Sequence, residues 1–232
     1  MSVVAIFQQL GAFESQEPSS LHRRTMGFYA GPLMRLPANE LVALLVATSF
    51  AAGLNVYATV GTLGLLARFG VLPLPDSLRL LESGWIIAAS IVLFVIEFLA
   101  DKVPAFDLIW NALHTFVRVP IAALLAYAAT SQLSPGKQLL ATVLGGLIAL
   151  AAHGGKTAVR AAVTPSPEPI SNIGLSFGED ALAIFLTWFA TQHPYSAAAI
   201  VIVLLAIIII LVRWVVRALR ALFRGAEHKL AL

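Results

Sequence analysis

The segment from Ser196 to Arg217 reads SAAAIVIVLLAIIIILVRWVVR, and no aqueous surface would hold it. About 20 predominantly apolar residues cross the hydrocarbon of a bilayer, and several runs of this kind occur in the chain. By length and hydropathy they fall at roughly 40–67, 84–100, 106–130, 138–160, 179–193 and 196–217. The first contains AAGLNVYATVG and is long enough to be tilted or broken; the fifth is short. Composition agrees: of 232 residues 59% are hydrophobic and 12% charged, about half the charge of an ordinary soluble domain. The chain thus reads as an all-α integral membrane protein of about six transmembrane helices. Its domains are an interfacial or linker segment over 1–38, one transmembrane domain over 39–217, and a basic tail over 218–232.

Basic residues gather outside the apolar runs, which is how Lys and Arg orient a membrane protein and is not a nucleic-acid footprint. With both termini cytoplasmic, that side holds Arg23, Arg24, Arg35, Lys102, Lys156, Arg160, Arg213, Arg217, Arg220, Arg224 and Lys229. The other side holds Arg68, Arg79 and Lys137, with Arg118 inside a span. The start of the chain lacks the positive region of a cleavable signal. The expected location is a bacterial cytoplasmic (inner) membrane. There is no cysteine, which excludes disulfides and thiolate metal sites.

Three motifs recur in the same order. AAGLNVYATVG at 51–61 matches AAHGGKTAVRA at 151–161, VLPLPD at 71–76 matches VTPSPE at 163–168, and FLADKVP at 98–104 matches WFATQHP at 188–194. Repeat halves of about 39–132 and 136–217 follow, each with three spans. An odd number of crossings makes the second half inverted, a plan recurrent in transporters with broken or re-entrant segments at the repeat interface.

Polar residues interrupt these apolar runs in a pattern. Asp107, Asn111, His114 and Arg118 fall within an arc of about 60° on one helix face, and so do His153, Lys156 and Arg160. Glu97 and Asp101 close the second span, and Glu179 and Asp180 open the fifth. Such groups are costly in lipid, so both stripes are expected to face inward and each other. Gly154 and Gly155 weaken the helix where the polar face starts, and Pro165, Pro167 and Pro169 impose an extended stretch. With Asn172 and Ser176 as hydrogen-bonding groups, 164–178 reads as a structured plug or gate.

AAGLNVYATV, ADKVPAFDLIWNALHTFVRVP and HGGKTAVRAAVTPSPEPISN with GED resemble a bacterial membrane family known as domain of unknown function 4126. The resemblance covers about 38–217. It implies a multi-pass membrane protein and lends no activity.

Two uses fit the polar residues equally well, a charge-paired staple and a polar path. The leading functional expectation is a transporter or channel-like protein for an ion or small polar or anionic solute. Its candidate binding residues are Glu97, Asp101, Asp107, Asn111, His114, Arg118, His153, Lys156, Arg160, Asn172, Glu179 and Asp180. The alternative is a non-catalytic membrane partner or assembly subunit. A lipid-phosphate enzyme, with His114 or His153 as acid or base, ranks below both because no established catalytic motif is present. His114, His153 and the carboxylates include metal-ligand types, without a compact ligand spacing and with cations nearby. Metal binding is left open, and no cofactor is expected. Partners are membrane lipids, with a second copy of the chain or a larger membrane complex as protein partners, and no nucleic acid.

Overall fold

The computed structural model describes residues 37–101, 104–163 and 169–230. Among them there is no strand. The helices are α1 (Ala38–Leu54), α2 (Val56–Arg68), α3 (Gly84–Ala100), α4 (Pro104–Ala129), α5 (Pro135–Val163), α6 (Pro169–Gln192) and α7 (Pro194–Leu230), with a 3-10 turn at Asp76–Glu82.

Punctuation in the sequence sets these limits. Proline is the first residue of α4, α5, α6 and α7, where its missing N–H costs nothing and its fixed φ suits the first turn. Pro169 therefore opens a helix, which corrects the expectation of extended chain over 164–178: residues 169–178 are the first turns of α6. Residues 164–168 of that expected plug, the segment 1–36 and Lys102 lie outside the described residues. The α2 end is closed by Gly70 at φ 72°, with Gly70 N donating to Ala67 O at 2.9 Å and Val71 N to Leu66 O at 2.8 Å. This is the paired closure that a left-handed glycine permits.

Asn55 separates α1 from α2 with extended dihedrals, φ −149° and ψ 106°. At 1.5 Å per residue, the 17 residues of α1 and the 13 of α2 rise about 25 Å and 20 Å. Continued in line, they would hold Glu40 and Leu72 about 45 Å apart. Instead Glu40, Leu44, Val71, Leu72 and Pro73 line one cavity of about 350 Å³. The chain reverses at Asn55, and α1 with α2 forms a helical hairpin. Its base is closed by Leu41, Leu45, Leu63, Ala67 and Leu72; its tip is Asn55, 0% exposed.

From the base, α3 runs toward the tip level, α4 returns, α5 advances, α6 returns, and α7 runs out past the tip. Pairs of residues mark these directions: Gly61 beside Ser90 and Gly64 beside Ile87, Ser77 Oγ donating to Ala128 O at 2.6 Å, and Gly155 against Ile208. Helix α1 sits at the centre, packed against α4, α5, α6 and α7. Small residues bring it close to α5: a Cβ on Gly53 would overlap the Ala149 carbonyl and the Ala152 side chain, and one on Gly145 would meet Ala126 and Ser49. Close approach of this kind drives helix association where lipid removes the hydrophobic advantage.

Among the described residues, three helical stretches are long and apolar enough to cross a membrane, Pro135–Arg160, Ile173–Gln192 and Pro194–Trp214. The 3-10 turn with α3, a pair bent by 62°, makes a fourth if the two are counted as one span. Of the six expected spans, 40–67 is divided into two short helices, and within 106–130 the apolar stretch among the described residues is the shorter Leu113–Ala129. The inverted repeat is not seen among the described helices. Helices α1 and α5 run the same way, with Ser49 beside Gly145 and Gly53 beside Ala149, and the matched motif 51–61 is divided between α1 and α2. Pro37 and the basic end of α7 accordingly lie at opposite ends of the bundle.

Candidate functional site

The hairpin tip meets a charged cluster drawn from α3, α4, α5 and α6. Asn55 is an N-cap: its Oδ1 accepts from Ala58 N at 2.9 Å, satisfying a first-turn amide. Its Nδ2 donates to Asp180 Oδ1 at 2.9 Å. The backbone on either side is also held. Thr59 Oγ1 donates to Asn55 O at 2.9 Å, and Lys156 Nζ reaches Leu54 O at 3.4 Å. A break in a buried helix is tolerated only where its freed backbone groups find such partners.

Lys156 is the hub. Its Nζ lies 3.7 Å from Glu97 Oε1, 3.3 Å from Asp101 Oδ2 and 3.3 Å from Glu179 Oε2. Arg160, one turn further on α5, places Nη2 2.7 Å from Asp101 Oδ2 and 2.6 Å from Glu179 Oε2, with Nε 3.2 Å from the same Glu179 oxygen. Ser176 Oγ reaches Asp101 Oδ2 at 3.4 Å. On the far side Arg118 Nη2 donates to Glu97 Oε1, and Nη1 lies 2.8 Å from His153 Nδ1. A guanidinium has only donors, so His153 Nδ1 accepts and its proton sits on Nε2, 2.8 Å from Thr115 Oγ1. Arg118 and Glu97 are both 0% exposed.

The two helix faces read from the sequence do meet, through Arg118 and His153. Glu97, Asp101, Lys156, Arg160, Glu179 and Asp180 join the same cluster. His114 stands at its margin, with Nε2 3.1 Å from Tyr57 Oη and its ring edge-on to the tyrosine. Asp107 and Asn111 on α4 and Asn172 on α6 have side chains outside the described residues. The sequence pattern did not single out Asn55, Tyr57, Thr59 and Thr115, whereas Ser176 was expected to supply a hydrogen bond and does so. A signal for Asn55 existed: asparagine inside an apolar run is a good N-cap and a poor helix interior.

The network is incomplete. Among the described residues, Glu97 Oε2, Asp101 Oδ1, Arg118 Nε and Asp180 Oδ2 are buried without a hydrogen-bond partner. Buried polar atoms are nearly always paired, and an orphan calls for a ligand, a water or a functional reason. Among the described residues no group of three or more histidine and carboxylate side chains is arranged to hold a metal ion. The cluster can hold or pass charge and exchange partners, since Lys156 serves three carboxylates and a carbonyl.

A family profile described as Domain of unknown function (DUF4126) matches residues 42–214. That is most of the chain and includes every residue of the cluster; the chain belongs to this family. No curated protein matches the chain, and no solved structure does. The family description carries no activity, so any function must be argued from the site.

Proposed function

We propose that this protein is a small multi-pass membrane transporter or channel-like protein for an ion or small polar solute, whose pathway includes the α1–α2 tip and the charged cluster. The observation that carries this reading is the meeting of a buried helix break with ion pairs that leave four polar atoms unpartnered. A staple gains most when every member is satisfied. A site that takes up a solute keeps polar atoms in reserve. Half-helices that end at a polar site inside the protein are the way many transporters present backbone groups to cargo. The protein acts without a cofactor, as a non-enzyme, in a bacterial inner membrane among lipids.

The test is flux in proteoliposomes over a panel of monovalent cations, halides, phosphate and amino acids, comparing the wild-type chain with Lys156→Gln. Flux in the wild type that falls to the level of empty vesicles in the variant, with thermal stability retained, is expected. A wild type silent across the panel, with a destabilised variant, would count against transport.

A second reading has its own observation. Helix α7 continues well past the tip level to Leu230 and carries Arg213, Arg217, Arg220 and Arg224. A projecting basic helix suits docking to a larger membrane complex, and a stoichiometric partner retained on purification from native membrane would favour that role.

A further inference from the structure

We propose that Asp180 is a proton-binding site, and that its proton is exchanged against the contact Lys156 makes with the hairpin tip. The inference deepens the transport reading above and rests on it for its purpose, by making the proton the coupling ion.

The argument starts from charge. Among the described residues the cluster contains four carboxylates, Glu97, Asp101, Glu179 and Asp180, and three strong cations, Arg118, Lys156 and Arg160. Glu97, Asp101 and Glu179 each have a cation within 4 Å. Asp180 has no such partner among the described residues. Among the described residues its side chain has one hydrogen bond, which Asn55 Nδ2 donates to Oδ1. Its Oδ2 is buried and unpartnered, and the residue is 4% exposed. One proton on Oδ2 brings four negative and three positive groups to neutrality and leaves every ion pair in place.

The groups around Asp180 fix what happens when that proton leaves. Helix α1 and the start of α2 offer the uncharged Asn55, Tyr57 and Thr59. Helix α7 carries no charged side chain between His193 and Arg213. Charge reaches Asp180 from Lys156 on α5 and from Glu97 and Asp101 on α3. Arg160 is occupied with Glu179 and with Asp101, and Arg118 with Glu97 and His153. Lys156 is the cation free to respond, because its contacts with Glu97 at 3.7 Å and with Leu54 O at 3.4 Å are its longest. Loss of the Asp180 proton creates a fourth carboxylate for it and draws it off the carbonyl that ends α1. Proton binding and tip position are thereby linked through one ammonium group.

The experiment is infrared difference spectroscopy of the full chain in lipid vesicles between about pH 5 and 9. It compares wild type, Asp180→Asn and Glu179→Gln. The expected result is a protonated-carboxyl band that titrates in the wild type, is missing in Asp180→Asn and persists in Glu179→Gln. Labelling aspartate carboxyls with carbon-13 should shift the band in the unmutated chain, which keeps the test valid if a variant folds poorly. A wild type without a titrating carboxyl band, a band unmoved by the label, or one retained in folded Asp180→Asn would overturn the proposal. The measurement needs no cargo. A titrating Asp180 in a chain with no flux would sink the transport reading and leave the proton site, whereas flux without the band would do the reverse.

Discussion

The two ends of the α1–α2 hairpin are built from opposite materials. The base is closed by Leu41, Leu45, Leu63, Ala67 and Leu72, packed on Leu74, Leu78 and Leu81. The tip is closed by Asn55 and by ion pairs whose members are 0–5% exposed or nearly so. Apolar packing has no partners to leave unmet and no second arrangement of comparable energy. A cluster of carboxylates sharing one lysine has several. The same hairpin is thus anchored at one end and exchangeable at the other, and the predictions below probe that asymmetry.

The largest effect is expected at Arg118. Its replacement by Met leaves Glu97 and His153 without the guanidinium that joins them, and breaking a buried pair costs about 3–5 kcal/mol. Chemical denaturation in detergent should show this loss, and Glu97→Gln added to Arg118→Met should recover much of it. Two single losses that simply add, with no recovery in the double variant, would break the idea that this pair acts as a unit.

At the base the expectation reverses in kind. Leu63, 5% exposed, lies in the apolar cluster, and Leu63→Ala should cost about 2–5 kcal/mol by leaving a cavity. Flux per folded molecule should stay at the wild-type level, since no charge or backbone acceptor is touched. A Leu63→Ala protein that folds yet loses flux would show that the base also moves, and the contrast between the ends would fail.

Much of the tip was legible in the sequence. Helical spacing put Arg118 on one face and His153, Lys156 and Arg160 on another, and the cost of charge in lipid required both to face inward. The reversal at Asn55 was not legible. Hydropathy measures the length of an apolar run, and a single extended residue within 40–67 leaves that length unchanged while reversing the direction of the chain. Proline was misread for a related reason. Pro169 reads as a breaker from its spacing with Pro165 and Pro167, although a proline at a first turn begins a helix. Which carboxylate lacks a cation was beyond spacing altogether, because Glu179 and Asp180 are neighbours in sequence and differ only in what stands opposite them.

The smallest effect concerns two adjacent glycines just beyond the meeting of α1 with α5. Gly154 and Gly155 are both interior to α5, and from propensity alone each would gain about 0.5–1 kcal/mol on replacement by Ala. Their surroundings separate them. A Cβ at Gly154 meets nothing within 4 Å, whereas one at Gly155 lies 2.7 Å from the Ile208 side chain of α7. Gly154→Ala should therefore stabilise the protein by that small increment. At Gly155→Ala the gain is opposed by displacement of Ile208, and overpacking of this kind typically costs about 1–3 kcal/mol. Thermal melts of the two variants in the same detergent should move in opposite directions, with flux unchanged in Gly154→Ala. If both rise together, α7 is packed loosely enough on α5 to yield, and the rigid wall that Ile208 presents one residue before Lys156 would have to be given up.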